Sequence, residues 1–181
     1  FVTNRSNASF SRSVDAGNSW TEHKVSATPS QIYSVAGIGS IVFASRYTGG
    51  VFMSIDSGNS WVQKSPLLDY KDSLSGSAYL ITASGTTLFA ANSGGVIMSS
   101  DSGNTWTIRS AGLTNATVYG ITSSGNALYV ATSRGVFLST NSGKSWTLKN
   151  NGLTISTNCI AAYGNNVYAG TYNGMYVSND N

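Results

Sequence analysis

Short apolar or alternating runs, each closed by Gly, Ser or Asn, succeed one another along the whole chain. One set reads IYSVAG, AYLITASG, VYGITSSG and CIAAYG, and a second reads IVFAS, LFAAN, LYVAT and VYAGT. A polar turn ending in Gly then leads to GVFMS, GVIMS, GVFLS or GMYVS. A last run starts at a Trp, as WVQKS, WTIRS or WTLKN. Such runs, bounded by turn formers, predict β-strands. No stretch keeps a helical period over a useful length, so the pattern predicts an all-β chain.

The runs recur in a fixed order. Trp20, Trp61, Trp106 and Trp146 are 41, 45 and 40 residues apart, and a period in this range sets the architecture. Each period holds four strands, A to D from inner to outer, which is the rhythm of a propeller blade with four antiparallel strands. A two-layer sandwich would not impose the same turn chemistry at one offset four times. The expectation is a single repeat domain over 1–181, with a partial blade at 1–30, blades at 31–65, 77–110 and 118–149, and a partial blade at 158–181. That makes an open or partial propeller of about four to five blades. Tyr33/Val35, Tyr79/Ile81, Tyr119/Ile121 and Asn158/Ile160 share one parity on strand A, and Phe43, Phe89, Tyr129 and Tyr168 match on strand B. A twisted sheet must bury a face on its neighbour, so these columns are read as inter-blade core.

Strand C runs straight into one eight-residue box, written SVDAGNSW (Ser13–Trp20), SIDSGNSW (Ser54–Trp61), SSDSGNTW (Ser99–Trp106) and STNSGKSW (Ser139–Trp146). Gly17, Gly58, Gly103 and Gly143 supply a positive φ for the C–D reversal. Asp15, Asp56 and Asp101 accept hydrogen bonds from the turn's own N–H groups, as short acids do in Asx-turns. The Ser or Thr before each Trp adds a polar group, and Trp20, Trp61, Trp106 and Trp146 cover the hairpin end. A glycosidase needs two facing carboxylates, whereas each box supplies one. A calcium loop needs more acids and a closing Glu. Asn141 replaces the acid in the fourth box, which an Asx-turn tolerates and acid catalysis does not. The boxes are read as structural.

The pattern S-x-D-x-G-x-[ST]-W resembles the Asp-box, or bacterial neuraminidase repeat, and the chain resembles Asp-box β-propeller proteins along its whole length. That family includes sialidases, xyloglucan-degrading glycoside hydrolases, sortilin-type receptors, a photosystem II assembly factor and secreted bacterial proteins. The resemblance implies boxes at the C–D corners, on the side away from the ligand site, with no catalytic part. It selects no single function.

Composition narrows the setting. Only 9% of the 181 residues are charged, against about 25% in an ordinary domain. Ser, Thr, Asn and Gly fill the difference, a composition that suits an extracellular or periplasmic, secreted protein. The net charge of +3 comes from ten cations against seven acids with no local cluster, so neither nucleic acid nor an anionic membrane is an expected partner. No run approaches the ~20 apolar residues of a membrane span. The lone Cys159 excludes an internal disulfide and a Cys metal pair; in NCIAAY it reads as a small buried hydrophobe. No cofactor and no metal are expected.

A search for chemistry finds little. The chain has five arginines and one glutamate, Glu22, and none of the arginines sits in a sialidase-like motif. Asp69 and Asp72 share one loop and are poorly placed to flank a bond. His23 has no Ser, Cys or metal partner by spacing and reads as a solvated strand residue. A catalytic role is not expected. The B–C turns RYTG, NSGG, SRG and YNG differ from blade to blade, and the 45-residue spacing adds SPLLDYKDSLSGS on the same face. Loops on a rigid scaffold carry function, so the candidate ligand-binding residues are Arg46, Tyr47, Tyr70, Lys71, Arg134, Tyr172 and Asn173. The leading expectation is a non-enzymatic module for binding protein or carbohydrate, with self-association at open blade edges as a further expectation. The alternatives are a segment of a larger glycoside hydrolase with its acids elsewhere, and a structural subunit of an extracellular assembly.

Overall fold

The structure, a computed structural model, describes residues 2–4, 8–25, 31–46, 50–65, 80–92, 94–153 and 156–179. Among them are eighteen strands in five antiparallel sheets and no helix. The first sheet is β1 (Val2–Asn4), β2 (Ser9–Arg12) and β3 (Thr21–Lys24). The second is β4 (Ile32–Ile38), β5 (Ile41–Arg46), β6 (Val51–Ser54) and β7 (Val62–Ser65), and the third is β8 (Leu80–Ser84), β9 (Thr87–Asn92), β10 (Gly95–Ser99) and β11 (Thr107–Ile108). The fourth is β12 (Val118–Ser124), β13 (Ala127–Thr132), β14 (Gly135–Ser139) and β15 (Thr147–Leu148), and the fifth is β16 (Thr157–Tyr163), β17 (Asn166–Thr171) and β18 (Gly174–Ser178). Every sheet is a meander whose spatial order follows the chain. Each of the three middle sheets therefore buries its two faces against the sheets before and after it, while the first and fifth are covered on one face among the described residues.

The strand B aromatics point forward along this series. Phe43, Phe89 and Tyr129 are buried in successive inter-sheet clusters. The strand A residues Val35, Ile81, Ile121 and Ile160 point back, each packed into the cluster it shares with the preceding sheet. Tyr119 departs from its column. A register shift between Val118 and Gly120 makes it a bulge residue, and the ring lies outside. A bulge turns one side chain off the pleat's alternation. Cys159 also departs from expectation: it is exposed, on the far face of the fifth sheet. His23 is half-buried rather than solvated, its ring stacked on Phe10 at 5.3 Å.

Serine hydroxyls fasten the inner strands to one another. Ser123 Oγ donates to the Ala83 carbonyl at 2.6 Å. Ser84 Oγ donates to Gly125 O at 2.7 Å, and Ser124 Oγ donates to Gly164 O at 2.8 Å, repeating the tie one sheet on. The Ser123 bond is part-buried, where a polar group must be paired, and the other two lie exposed at the strand ends.

Each box is a closed hydrogen-bonded corner. The amide of the fourth residue (Asn18, Asn59, Asn104 or Lys144 at its own position in the turn) donates to the carbonyl three residues earlier. Both residues between have positive φ: Ala16, Ser57, Ser102 and Ser142 lie at 56° to 62°, and the following glycines at 75° to 100°. Two consecutive left-handed residues define a type I′ turn, whose twist matches the flanking strands. The sequence pattern located the glycine and missed the residue before it. The opening serine was missed too. Ser54 and Ser99 are buried; each accepts the glycine amide at 2.7 and 2.8 Å and donates to Asp Oδ1 at 2.7 and 2.8 Å. The second carboxylate oxygen accepts the Ser60 or Thr105 hydroxyl at 2.6 Å.

The fourth box shows why an amide is accepted. Asn141 Oδ1 keeps the Ser145 amide at 3.0 Å, and its Nδ2 now donates to Ser145 Oγ at 2.8 Å. The hydroxyl simply changes from donor to acceptor. In the other three boxes the carboxyl is held down. Hydrogen bonds from the hydroxyl and amide of Ser19 or Thr105, then from the opening serine, lower Asp15 and Asp101 from 3.8 to about 2, and Asp56 is lowered in the same way.

The Trp residues fill the gaps between sheets. Trp61 meets the ring of Phe10 edge-on at 5.6 Å across the first gap. Trp106 packs into the second gap beside Leu88 and Ile97. Trp146 is buried in the third among Phe89, Val96 and Phe137, with its Nε1 donating to the Arg109 carbonyl at 2.7 Å. Trp20 belongs to the first sheet and is half-exposed.

Two outcomes follow. Trp146→Ala should cost about 3–5 kcal/mol, the range for losing a large buried ring, and Trp20→Ala clearly less; equal losses in urea melts would mean the gap is not what holds the indole. The acid boxes set an acid limb. Their folded pKa lies below the unfolded value, so their stabilisation is complete above about pH 4 and is lost as pH falls through about 2. A D15N/D56N/D101N chain should therefore lose less stability between pH 4 and 2 than the parent, measured by denaturant melts at each pH. Parallel curves would count against the acceptor role.

Candidate functional site

In the first four sheets strand C follows the B–C turn and ends at a box, so turns and boxes lie at opposite ends. The box end is committed internally. Asn59 and Asn104 return their side-chain amides to the Asp56 and Asp101 carbonyls at 2.7 and 2.6 Å. The turn end is built differently. In the β13–β14 turn, Thr132 is buried, accepts the Arg134 amide at 3.0 Å and donates to Gly135 O at 2.8 Å. Thr171 repeats this in the β17–β18 turn, accepting from the Asn173 amide at 3.1 Å and donating to Gly174 O at 2.8 Å. One hydroxyl thus fixes each two-residue turn and leaves both of its side chains outside. Nothing in SRG or YNG alone signals this threonine, because it lies at the strand end where an apolar run normally continues.

The D–A connection supports the same end. Asn150 Oδ1 accepts the Val136 amide at 3.0 Å, and its Nδ2 donates to Arg134 O at 2.6 Å. Gly135, at φ 104°, has no Cβ to collide with that Asn150 side chain. Thr117 is bridged to Ser133 in both directions, amide to carbonyl at 3.0 Å and amide to hydroxyl at 3.1 Å.

The candidate contact residues divide on this framework. Arg134 and Asn173 occupy the same turn position in successive sheets, and both are exposed. Arg134 Nη1 donates to the Thr114 carbonyl at 3.0 Å, which aims the guanidinium along the face. Tyr172 is 89% exposed. Arg46 departs from the expected exposed position: it is buried at the end of β5, with its guanidinium 5.1 Å from the Phe52 ring centroid. Burial lowers its pKa, and its weight falls on packing. Tyr47, Tyr70 and Lys71, with the acids Asp69 and Asp72, lie outside the described residues. Glu22 is on β3 and accepts from Ser9 Oγ. Among the described residues no three His, Cys, Asp or Glu side chains gather to hold a metal ion, and no helix is long and apolar enough to cross a membrane.

No protein-family model and no curated protein matches the chain. Solved structures do match its architecture. "YCF48 bound to D1 peptide" superposes with a TM-score of 0.71 at 19% identity, over 97% of this chain and 60% of that one. The computationally designed Ika4 protein gives 0.66 at 12%, over 87% and 96%. The Niastella koreensis GH74 enzyme gives 0.65 at 17%, over 98% of this chain and 28% of the enzyme. These are β-propeller proteins. The fold is a β-propeller fold. At such identities the likeness carries the fold alone, and the chain spans about 60% of YCF48 and under a third of the enzyme. The five sheets are accordingly blades.

The Arg46 placement gives a test that separates packing from contact. Arg46→Ala should cost about 1–2 kcal/mol through the lost ring contact and stem burial, read as a lower melting midpoint. Arg134→Ala should leave stability within about 0.5 kcal/mol, as surface changes do.

Proposed function

We propose that this chain is a non-enzymatic, secreted propeller module of the Asp-box type that binds a protein or carbohydrate through its B–C turn end. One observation carries the reading: Tyr172 stands almost wholly in solvent on a turn that Thr171 holds rigid. An aromatic ring with no packing task, on a backbone that needs no ordering, offers contact area at small entropic cost. Arg134 stands in the preceding blade's equivalent turn, already aimed by Thr114. Its fork suits a carboxylate or an acidic segment, and the tyrosine ring suits a sugar face or an apolar side chain. The similarity to a propeller solved with a bound peptide favours a protein ligand. The corner end, with its polar atoms turned inward on the boxes, has little to offer.

The similarity to GH74 enzymes keeps a second reading in view, a segment of a larger hydrolase. Outside the boxes the described residues hold a single acid, Glu22. The box carboxylates are held ionised by their own turns and are spent as acceptors.

The test compares two double variants, Tyr172→Ala/Arg134→Ala on the turn end and Asn59→Ala/Asn104→Ala on the corner end, in glycan-array and pull-down binding. The first pair should reduce binding at least tenfold and the second should leave it unchanged. Loss from the corner pair alone would place the site at the wrong end.

A further inference from the structure

No stretch of sequence concentrates cations, but the charge of the chain is unevenly divided. From Ser102 to Asn179 it carries four cations, Arg109, Arg134, Lys144 and Lys149, and no acid. The fold brings two of them to one seam. At each of the first three seams between blades, the third residue after a box Trp passes beneath the glycine of the next box. A Cβ placed on Gly58 would lie 3.5 Å from the His23 ring, one on Gly103 3.5 Å from Lys64 Cβ, and one on Gly143 3.0 Å from Arg109 Cβ. The column His23, Lys64 and Arg109 therefore meets the next blade's corner.

The second and third seams differ in what the corner offers the cation. Lys64 Nζ donates to Asn104 Oδ1 at 3.4 Å, in a box whose Asp101 is held ionised by its own turn. One seam on, Lys144 takes the place of Asn104 and can accept nothing, and Asn141 takes the place of Asp101. Two positive charges are gathered at this corner, and its box holds no negative one. Arg109 Nη1 turns back to its own Ile108 carbonyl at 3.3 Å, a long bond, and its Nε is covered without an acceptor. A covered donor left unpaired costs free energy. The Lys144 side chain is exposed, with no acceptor for its ammonium among the described residues. Both blades have all four strands, and the buried Trp146 fills the gap between them.

We propose that this corner is a binding site for a tetrahedral dianion, the phosphate ion or the phosphate group of a monoester, held between the Arg109 guanidinium and the Lys144 ammonium. Arginine offers phosphate oxygens a planar fork of donors, and lysine offers a point charge. A phosphate monoester carries about −1.5 to −2 charges near pH 7. That matches the two cations, whereas a carboxylate would leave one of them unpaired. On binding, the fork leaves the Ile108 carbonyl for the anion and Nε is uncovered, while the stem stays under Gly143. The corner survives its two replacements. Asn141 keeps both bonds to Ser145, and Lys144 gives up the side-chain bond that Asn59 and Asn104 make to the Asp carbonyl. The site lies at the opposite end of the blade from the B–C turns and does not depend on what those turns bind.

The test is an NMR titration of the full chain, labelled with ¹⁵N, with inorganic phosphate, with phosphoserine and with chloride, all at one ionic strength. The reporters are the Arg109 Nε–H, the Gly143 and Lys144 amides, and the Trp146 ring N–H, which donates to the Arg109 carbonyl. Phosphate should shift them saturably in the millimolar range, and chloride should not. Lys144→Asn and Asn141→Asp give the fourth box side chains that the second and third boxes already carry, so both variants keep the corner. Each should weaken phosphate binding about tenfold, the scale of one charge at this range. Arg109→Lys, which keeps the charge and loses the fork, should weaken it less. Equal binding of phosphate and phosphoserine assigns the site to a monoester, and binding of phosphate alone assigns it to the free ion; either upholds the proposal. Unchanged affinity in Asn141→Asp, equal shifts with chloride, saturable shifts centred on Arg134 or Lys64 instead, or none with millimolar phosphate would overturn it.

Discussion

A meander sheet with apolar side chains on both faces is stable only when both faces are covered, and everything in this molecule follows from how it meets that demand. The twist of neighbouring sheets leaves a wedge between their outer strands that aliphatic side chains do not fill. The second, third and fourth boxes answer with an indole delivered at a fixed place, the first residue after a tight corner. The corner must therefore be rigid, because an indole mislaid by an ångström packs against nothing on one side. Rigidity comes from the two consecutive left-handed residues and from the serine that receives the glycine amide. The carboxylate or amide then holds that serine and the residue before the Trp. The polar network and the hydrophobic wedge are one device.

That coupling explains which features were legible in the sequence. Period, strand order and box position were all readable, because the same residues must recur wherever the same gap recurs. The columns Phe43, Phe89 and Tyr129 could be assigned to the core from parity alone. Parity failed at Tyr119, where a bulge resets the alternation, and at Cys159, which faces away from the fourth blade and is left exposed. Both failures are non-local: one depends on register, the other on which side of a blade has a neighbour. His23 was misjudged for the same reason, since its partner Phe10 lies on the adjacent strand and no spacing within one strand reveals it.

The candidate site was legible only in outline. Variation among RYTG, SRG and YNG marked the turn end, and Arg134, Tyr172 and Asn173 do stand there. Arg46 occupies a similar place in the sequence yet turns inward over Phe52, a choice set by a ring on the neighbouring strand. Thr132 and Thr171 carried no signal at all. Each reads as one more β-branched strand residue, and only the hydrogen bonds show that its hydroxyl fixes the turn.

The two ends of each blade are thus held by opposite strategies. At the corners the side chains are consumed by the turn: serine, aspartate, asparagine and the box threonine all bond within a few residues of themselves, so the acid is replaced only where the new side chain keeps those bonds, as Asn141 does. At the B–C turns a single strand threonine holds the turn itself, and the two turn side chains stay exposed, with Ser133 and Arg134 bonding only to the neighbouring connection at Thr117 and Thr114. Ser133 and Arg134 in one blade are replaced by Tyr172 and Asn173 in the next while the threonine bond that closes the turn stays the same. A scaffold arranged in this way confines most of its chemistry to one end, since new side chains there cost the fold almost nothing, whereas at the other end nearly any change would loosen the wedge on which the blades depend.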